Sequence, residues 1–86
     1  MKHFTSARFW SHYRQLPPDI QKLADKNFAL FKENPQHPSL GFRKKGGVYT
    51  AEIGRSYRAL AREREGGYYW FWIGTHADYD DIIKSL

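Results

Sequence analysis

Cysteine is absent from the chain, which excludes a disulfide framework and any cysteine-based zinc site. The lack fits a reducing compartment. No stretch approaches the roughly 20 apolar residues needed to span a bilayer, and no signal-like apolar segment follows Met1. The expectation is a soluble, cytoplasmic protein with no membrane partner. The histidines at 3, 12, 37 and 76 show no ligand spacing, so neither a metal nor another cofactor is expected. No repeat, low-complexity tract or linker divides the 86 residues, and a chain of that length makes one domain, 1–86.

What the chain has instead is aromatic bulk and localised positive charge. So short a chain buries only about 60–65% of its unfolded surface. Three Trp, six Tyr and six Phe supply the large apolar areas that compensate. The formal net charge is +5. Between Gly41 and Arg64 lie seven basic residues (Arg43, Lys44, Lys45, Arg55, Arg58, Arg62, Arg64) and two acidic ones (Glu52, Glu63), so that segment carries the whole excess. A basic zone confined to one region suits a polyanion such as nucleic acid; a solvated basic face is the alternative.

The hydrophobic period changes once along the chain. Lys2–Phe4 reads as a short strand. Thr5 or Ser6 can then cap a helix carrying Phe9, Trp10, Tyr13 and Leu16. Pro17-Pro18 ends that helix and opens a second, in which Ile20, Leu23, Ala24, Phe28 and Phe31 form an apolar stripe. Asn34-Pro35 ends the second. Val48–Ile53, Tyr57–Arg64 and Tyr68–Ile73 then read as strands separated by glycine turns, an antiparallel meander. A short helix over Asp80–Lys84 closes the chain. The fold class is therefore α+β, an N-terminal helical hairpin packed on one face of a twisted antiparallel β-sheet.

Alternation along Tyr57–Arg64 places Arg58, Leu60, Arg62 and Arg64 on one side, and Ala59 and Ala61 on the side a helix can approach. The arginine row is assigned to the open face. The turn around Arg55 makes Glu52 and Arg58 direct cross-strand partners, close enough to attract. The next turn leaves two registers. A Gly66-Gly67 loop puts the arginines with Tyr69, Phe71 and Ile73. A Glu65-Gly66-Gly67 loop puts Arg58 with Tyr68, Trp70, Trp72 and His76. The second is preferred because it sends Phe71 and Ile73 into the core.

Four motifs in order, Leu16-Pro17-Pro18, Asn34-Pro35-x-His37-Pro38-x-Leu40, Tyr57-Arg58-Ala59-Leu60 and Ile73-Gly74-x-His76-x-x-Tyr79, resemble the RelE/ParE toxin superfamily over nearly the whole chain. The resemblance implies the toxin of a bacterial type II toxin–antitoxin system, with a cognate antitoxin as partner. RelE-, YoeB- and YafQ-like members are endoribonucleases that cleave mRNA, generally at the ribosome, without metal, and so inhibit translation. ParE members block DNA gyrase and cut nothing. Arg58 matches an arginine that supports the scissile phosphate in nuclease members. His76 matches the acid or base of the YafQ-like Gly-x-His, and Tyr79 lies near a C-terminal aromatic of other nucleases. Departures are equally plain: YafQ-like enzymes carry a second histidine where this chain has Glu52 and an aspartate where it has Ser56, and YoeB-like enzymes place Tyr where Ala77 stands.

Metal-free RNA cleavage needs a base for the 2′-OH, cations for the phosphate and an acid for the leaving 5′-oxygen. Imidazole serves either proton role near neutral pH. The candidate catalytic residues are His76, Arg58, Glu52 and Tyr79. Against these stand plainer roles: His76 ending a strand, Arg58 paired with Glu52, Tyr79 packing the last helix. Arg43, Lys44, Lys45, Arg55, Arg62 and Arg64 are the candidate RNA-binding residues, and a non-catalytic gyrase inhibitor or other binding module of the same fold is the rival reading.

Overall fold

In the computed structural model, which describes residues 2–86, the chain opens with strand β1 (Lys2–Thr5), followed by helices α1 (Ala7–Arg14) and α2 (Pro18–Glu33). Ser6 starts α1, its hydroxyl accepting from the Phe9 N–H at 3.0 Å and so satisfying one of the free donors of the first turn. Pro18 begins α2, where its missing N–H costs nothing. A 3₁₀ turn, Pro38–Leu40, is capped by His37, whose Nδ1 accepts from the Ser39 N–H. Strands β2 (Arg43–Lys45), β3 (Val48–Ile53), β4 (Tyr57–Arg64) and β5 (Gly67–Thr75) follow, and helix α3 (His76–Ser85) ends the chain.

The sheet order is β1-β5-β4-β3-β2. β2 to β5 form the antiparallel meander, but β1 runs parallel to β5. The sheet is mixed where a purely antiparallel one was expected. The helix pair carries the chain across one face before the meander begins, which is the long connection a parallel neighbour requires. Gly67 makes the pairing close, since a Cβ there would collide with the Lys2 backbone. Arg43-Lys44-Lys45, outside the expected strands, is an edge strand in which Lys45 pairs with Val48 across the Gly46-Gly47 turn. Charged side chains on an edge discourage further strand addition.

On the helix side, Ala24 and Phe31 of α2 bury against Ala51, Ile53, Ala59, Ala61, Trp70 and Ile73, with Leu16 and Leu40 closing the ends. The alanines of β3 and β4 are what let a helix come down on the sheet. Phe31 is the hub, edge-on to Phe42, Tyr68 and Trp70. Asn27 of α2 donates to the Glu52 main-chain carbonyl at 3.1 Å and fixes the helix on β3.

Neither expected register of the last hairpin holds along its full length. Arg64 pairs with Gly67, so the loop is Glu65-Gly66, both at positive φ as a two-residue hairpin turn requires. Further along, Ala61 pairs with Trp70 but Leu60 with Trp72, leaving Phe71 as the extra residue of a β-bulge. The bulge puts Phe71 and Trp72 on the outer face in succession. Trp70 goes to the helix-side core and Trp72 to a second cluster with Val48, Leu60 and Tyr79. The indoles of Trp70 and Trp72 therefore point to opposite faces, and Phe71 is only half-buried beside that second cluster, whereas Ile73 does enter the helix-side core.

The face assigned as open is partly covered. Helix α3 is twice the expected Asp80–Lys84 segment, starting at His76 with Thr75 as its cap and the Thr75 hydroxyl accepting from the Asp78 N–H. Tyr79, Ile82 and Ile83 pack over Val48, Leu60 and Trp72, and Leu60, in the middle of the arginine row, is fully buried. Among the described residues no helix is long and apolar enough to cross a membrane.

Candidate active site on the outer face of the sheet

Because α3 covers the middle of the outer face, the polar groups there divide into two margins. At the margin beside the Glu65-Gly66 turn, the Arg62 guanidinium lies over Phe71 at 5.1 Å from the ring centroid. Arg64 lies over Tyr69 at 5.0 Å and Phe4 at 5.6 Å. Parallel pairing of β1 with β5 brings Phe4 level with Tyr69. These contacts set exposed arginines over partly buried rings, at cation–π distances.

At the opposite margin the register sets one row across three strands: Glu52 on β3 pairs with Arg58 on β4, and Arg58 with Gly74 on β5. His76 follows Gly74 by two residues, and its main-chain N–H donates to the Ser56 carbonyl at 2.7 Å. That bond ties the start of α3 to the turn from which Arg58 springs. Arg58 is thus beside the carboxylate candidate in register, and the imidazole candidate begins α3 at the same end of the sheet. The expected ion pair between Glu52 and Arg58 does not form. Arg58 Nη1 donates instead to the main-chain carbonyls of Tyr57 at 2.8 Å and Arg55 at 3.4 Å. Its remaining N–H groups make no hydrogen bond among the described residues. Glu52 leans over Gly41, where a Cβ would occupy the space of its carboxyl group, and meets Arg43 at 3.8 Å. Gly41 is left-handed at φ +51, so both its conformation and its lack of a side chain serve that placement.

The His76 ring is exposed and oriented from two sides. Its Nδ1 is 3.3 Å from Asp80 Oδ2, one helical turn on, and its ring rests against Tyr79 with centroids 5.7 Å apart. Tyr79 is buried in the cluster under α3; its ring packs, and Lys45 Nζ lies 5.8 Å from its centroid. Gly74 has a packing role of its own, since a Cβ would strike the Trp72 ring. The other basic candidates spread out. Lys44 lies over Tyr49 at 5.9 Å, and Arg55 is exposed in the turn after β3. The structure therefore gathers Glu52, Arg58 and His76 at one sheet end with Arg43 beside Glu52. It sets Arg62 and Arg64 apart beyond α3.

Two concavities lie elsewhere. One of about 120 Å³ between the helix pair and the sheet is lined mainly by apolar residues such as Phe28, Phe31 and Ile53, with Tyr13, Asp25, Asn27 and Glu52 also in its wall. The other, about 460 Å³, lies between α1 and α3 and is walled by His12, Thr75, Asp78 and Asp81. Its carboxylates repel a polyanion. Asp80 was missed as a site residue, although the signal was present: Thr75-His76-Ala77-Asp78 can open a helix, and a helix beginning there places residues 76 and 80 on one face.

The family model for the ParE-like toxin domain matches residues 18–81. The chain belongs to that family. No curated protein matches the sequence. Among solved structures, the fold is similar to that in the RelB-RelE antitoxin-toxin complex from Methanococcus jannaschii, at 12% identity and TM-score 0.73 over 92% of this chain and 96% of that one. It is also similar to YafQ from E. coli, at 12% identity and TM-score 0.71 over 91% and 96%. For the YoeB/ParE toxin from Agrobacterium tumefaciens the figures are 16%, 0.67, 88% and 99%. At such identities the likeness is one of fold, and the RelE/ParE fold is thereby established for this ParE-like domain. The α1 segment lies outside the family match, but the structural alignments extend over most of the chain.

Proposed function

We propose that this ParE-like domain is the toxin of a toxin–antitoxin pair and an endoribonuclease acting on mRNA at the ribosome, neutralised by a cognate antitoxin. The observation that carries the reading is the row Glu52–Arg58–Gly74, with His76 two residues past Gly74 at the same end of the sheet. In this reading a phosphate held by the free donors of Arg58 draws Glu52 from the adjacent strand, about 4.8 Å away, to one side and takes His76, just past the end of β5, on the other. In-line cleavage needs that arrangement. The 2′-oxygen attacks phosphorus as Glu52 takes its proton, the P–O5′ bond breaks as His76 protonates the departing oxygen, and the products are a 2′,3′-cyclic phosphate and a 5′-hydroxyl. Arg58 offsets the charge that develops on the phosphorane oxygens. The step calls on no metal. Arg43, Lys44 and Lys45 on the edge strand, Arg55 in its turn and the stacked Arg62 and Arg64 supply further contacts for RNA or ribosome.

The test is induction of the wild type and variants, followed by mapping of new mRNA 5′ ends and a gyrase supercoiling assay. His76→Ala is expected to lower the cleavage rate by about 10²–10⁴ with ribosome association retained. Arg58→Ala is expected to lower it by about 10²–10³. Cooperative unfolding of each variant is checked first. Growth arrest without new mRNA ends, or arrest that persists in His76→Ala, removes the nuclease reading. A block of supercoiling in those same extracts then supports the non-catalytic gyrase inhibitor, which the substituted second histidine and aspartate also favour.

A further inference from the structure

We infer that Asp80 is the positioning residue of His76: it receives the Nδ1–H of the imidazole and leaves Nε2 as the atom that exchanges a proton with RNA. The inference rests on the nuclease reading for its consequence, but its geometry stands independently. His76 is anchored at its main chain by the Ser56 carbonyl, and Thr75 caps the helix that it begins. The ring could still turn about its side-chain bonds. Two contacts restrict it, the Tyr79 ring behind and Asp80 Oδ2 at 3.3 Å from Nδ1. Tyr79 is itself immobilised in the cluster with Val48, Leu60 and Trp72, so the ring has a rigid wall on one side. A carboxylate accepts hydrogen bonds only. A proton on Nδ1 turns this 3.3 Å ion-pair contact into a hydrogen bond, and Nε2 on the far edge of the ring is then the lone pair of the neutral form or the labile N–H of the cation. The same ring state follows when His76 gives up a proton as acid and before it takes one as base, so Asp80 serves both halves of a proton-transfer cycle.

A surface i,i+4 pair that only steadies α3 is worth a few tenths of a kcal/mol and fixes no tautomer. The experiment separates the two. Imidazole ¹⁵N shifts of His76, assigned with His76→Gln, are recorded on the folded full chain at a pH where the ring is neutral. The wild type is expected to show the Nδ1–H tautomer, and Asp80→Ala to lose that preference. Asp80→Asn, which keeps an acceptor oxygen, should retain part of it. Cleavage by Asp80→Ala is expected to fall about tenfold to a hundredfold in kcat with KM unchanged, the factor typical of partners that orient a metal-bound histidine. Asp81→Ala removes the same charge from the same helix and should move neither the shifts nor kcat. An Nε2–H tautomer in the wild type, or shifts unmoved by Asp80→Ala, overturns the inference even if the wild type cleaves RNA. A tautomer that does switch, in a protein that cuts no RNA, supports the positioning and rejects only the nuclease reading.

Discussion

The two faces of the sheet are closed by unlike means. On one, a helix of 16 residues lays Phe31 into a continuous aromatic core and is bonded to β3 through Asn27. On the other, the 10-residue α3 covers only Val48, Leu60 and Trp72, and charged groups begin at once on either side. The contrast explains where chemistry can reside in so small a chain. The helix-side face has committed its residues to stability, and only the rim of the α3 patch holds polar groups on rigid strands with access to solvent.

The contrast can be broken directly. Phe31→Ala, at the hub of the larger core, is expected to cost about 3–5 kcal/mol, read as a shift of the urea midpoint at constant slope. A loss below about 1 kcal/mol would mean that the two faces contribute alike. Gly74→Ala should cost about 1–3 kcal/mol, because the new methyl meets the Trp72 ring and forces the outer cluster apart. Its near-ultraviolet signal should change with it. Native-state hydrogen exchange sharpens the same comparison: amides of α3 should open at lower free energy than those of α2. Equal protection would show one cooperative unit.

Electrostatic effects are smaller and more local. Each of Arg43, Lys44 and Lys45 that contacts a phosphate should contribute about 0.7 to the slope of log affinity against log salt for single-stranded RNA. Charge reversal at those positions should flatten the slope without altering where RNA is cut. The smallest effect expected is a pH dependence from His3. Burial, with the Lys32 cation nearby, holds its imidazole below the ordinary value of 6.5; the ring lies edge-on to Phe28 and Phe31, and Nδ1 has no partner among the described residues. Between the lowered value and 6.5 the unfolded chain binds more protons than the native one, so stability is full above 6.5 and declines as pH falls through that window. His3→Phe should abolish this part of the pH profile in urea titrations. An unchanged profile would assign it to another group.

Much of this was legible in the residues. The switch of period after Asn34-Pro35, the alanines facing a helix from β4, and the pairing of Glu52 with Arg58 all follow from local sterics and alternation, which act over a few residues. Three features did not follow. The bulge at Phe71 depends on which indole each core can accept, and alternation alone has no means of signalling an extra residue. The parallel placement of β1 depends on Gly67 allowing a close neighbour from the far end of the chain. The ion pairing of Glu52 with Arg43 depends on a strand whose charged residues carry no periodic signal. By itself, then, the sequence determined the helical hairpin, the three long strands, the α+β class and the basic segment, because propensity and hydrophobic period are short-range properties. The tertiary structure alone decided the rest: Trp70 and Trp72 part to opposite faces, and α3 seals the centre of the arginine row. Each of those outcomes is settled by competition for space between segments distant in the chain, or by where a helix begins, and a one-residue shift in either would have reversed it.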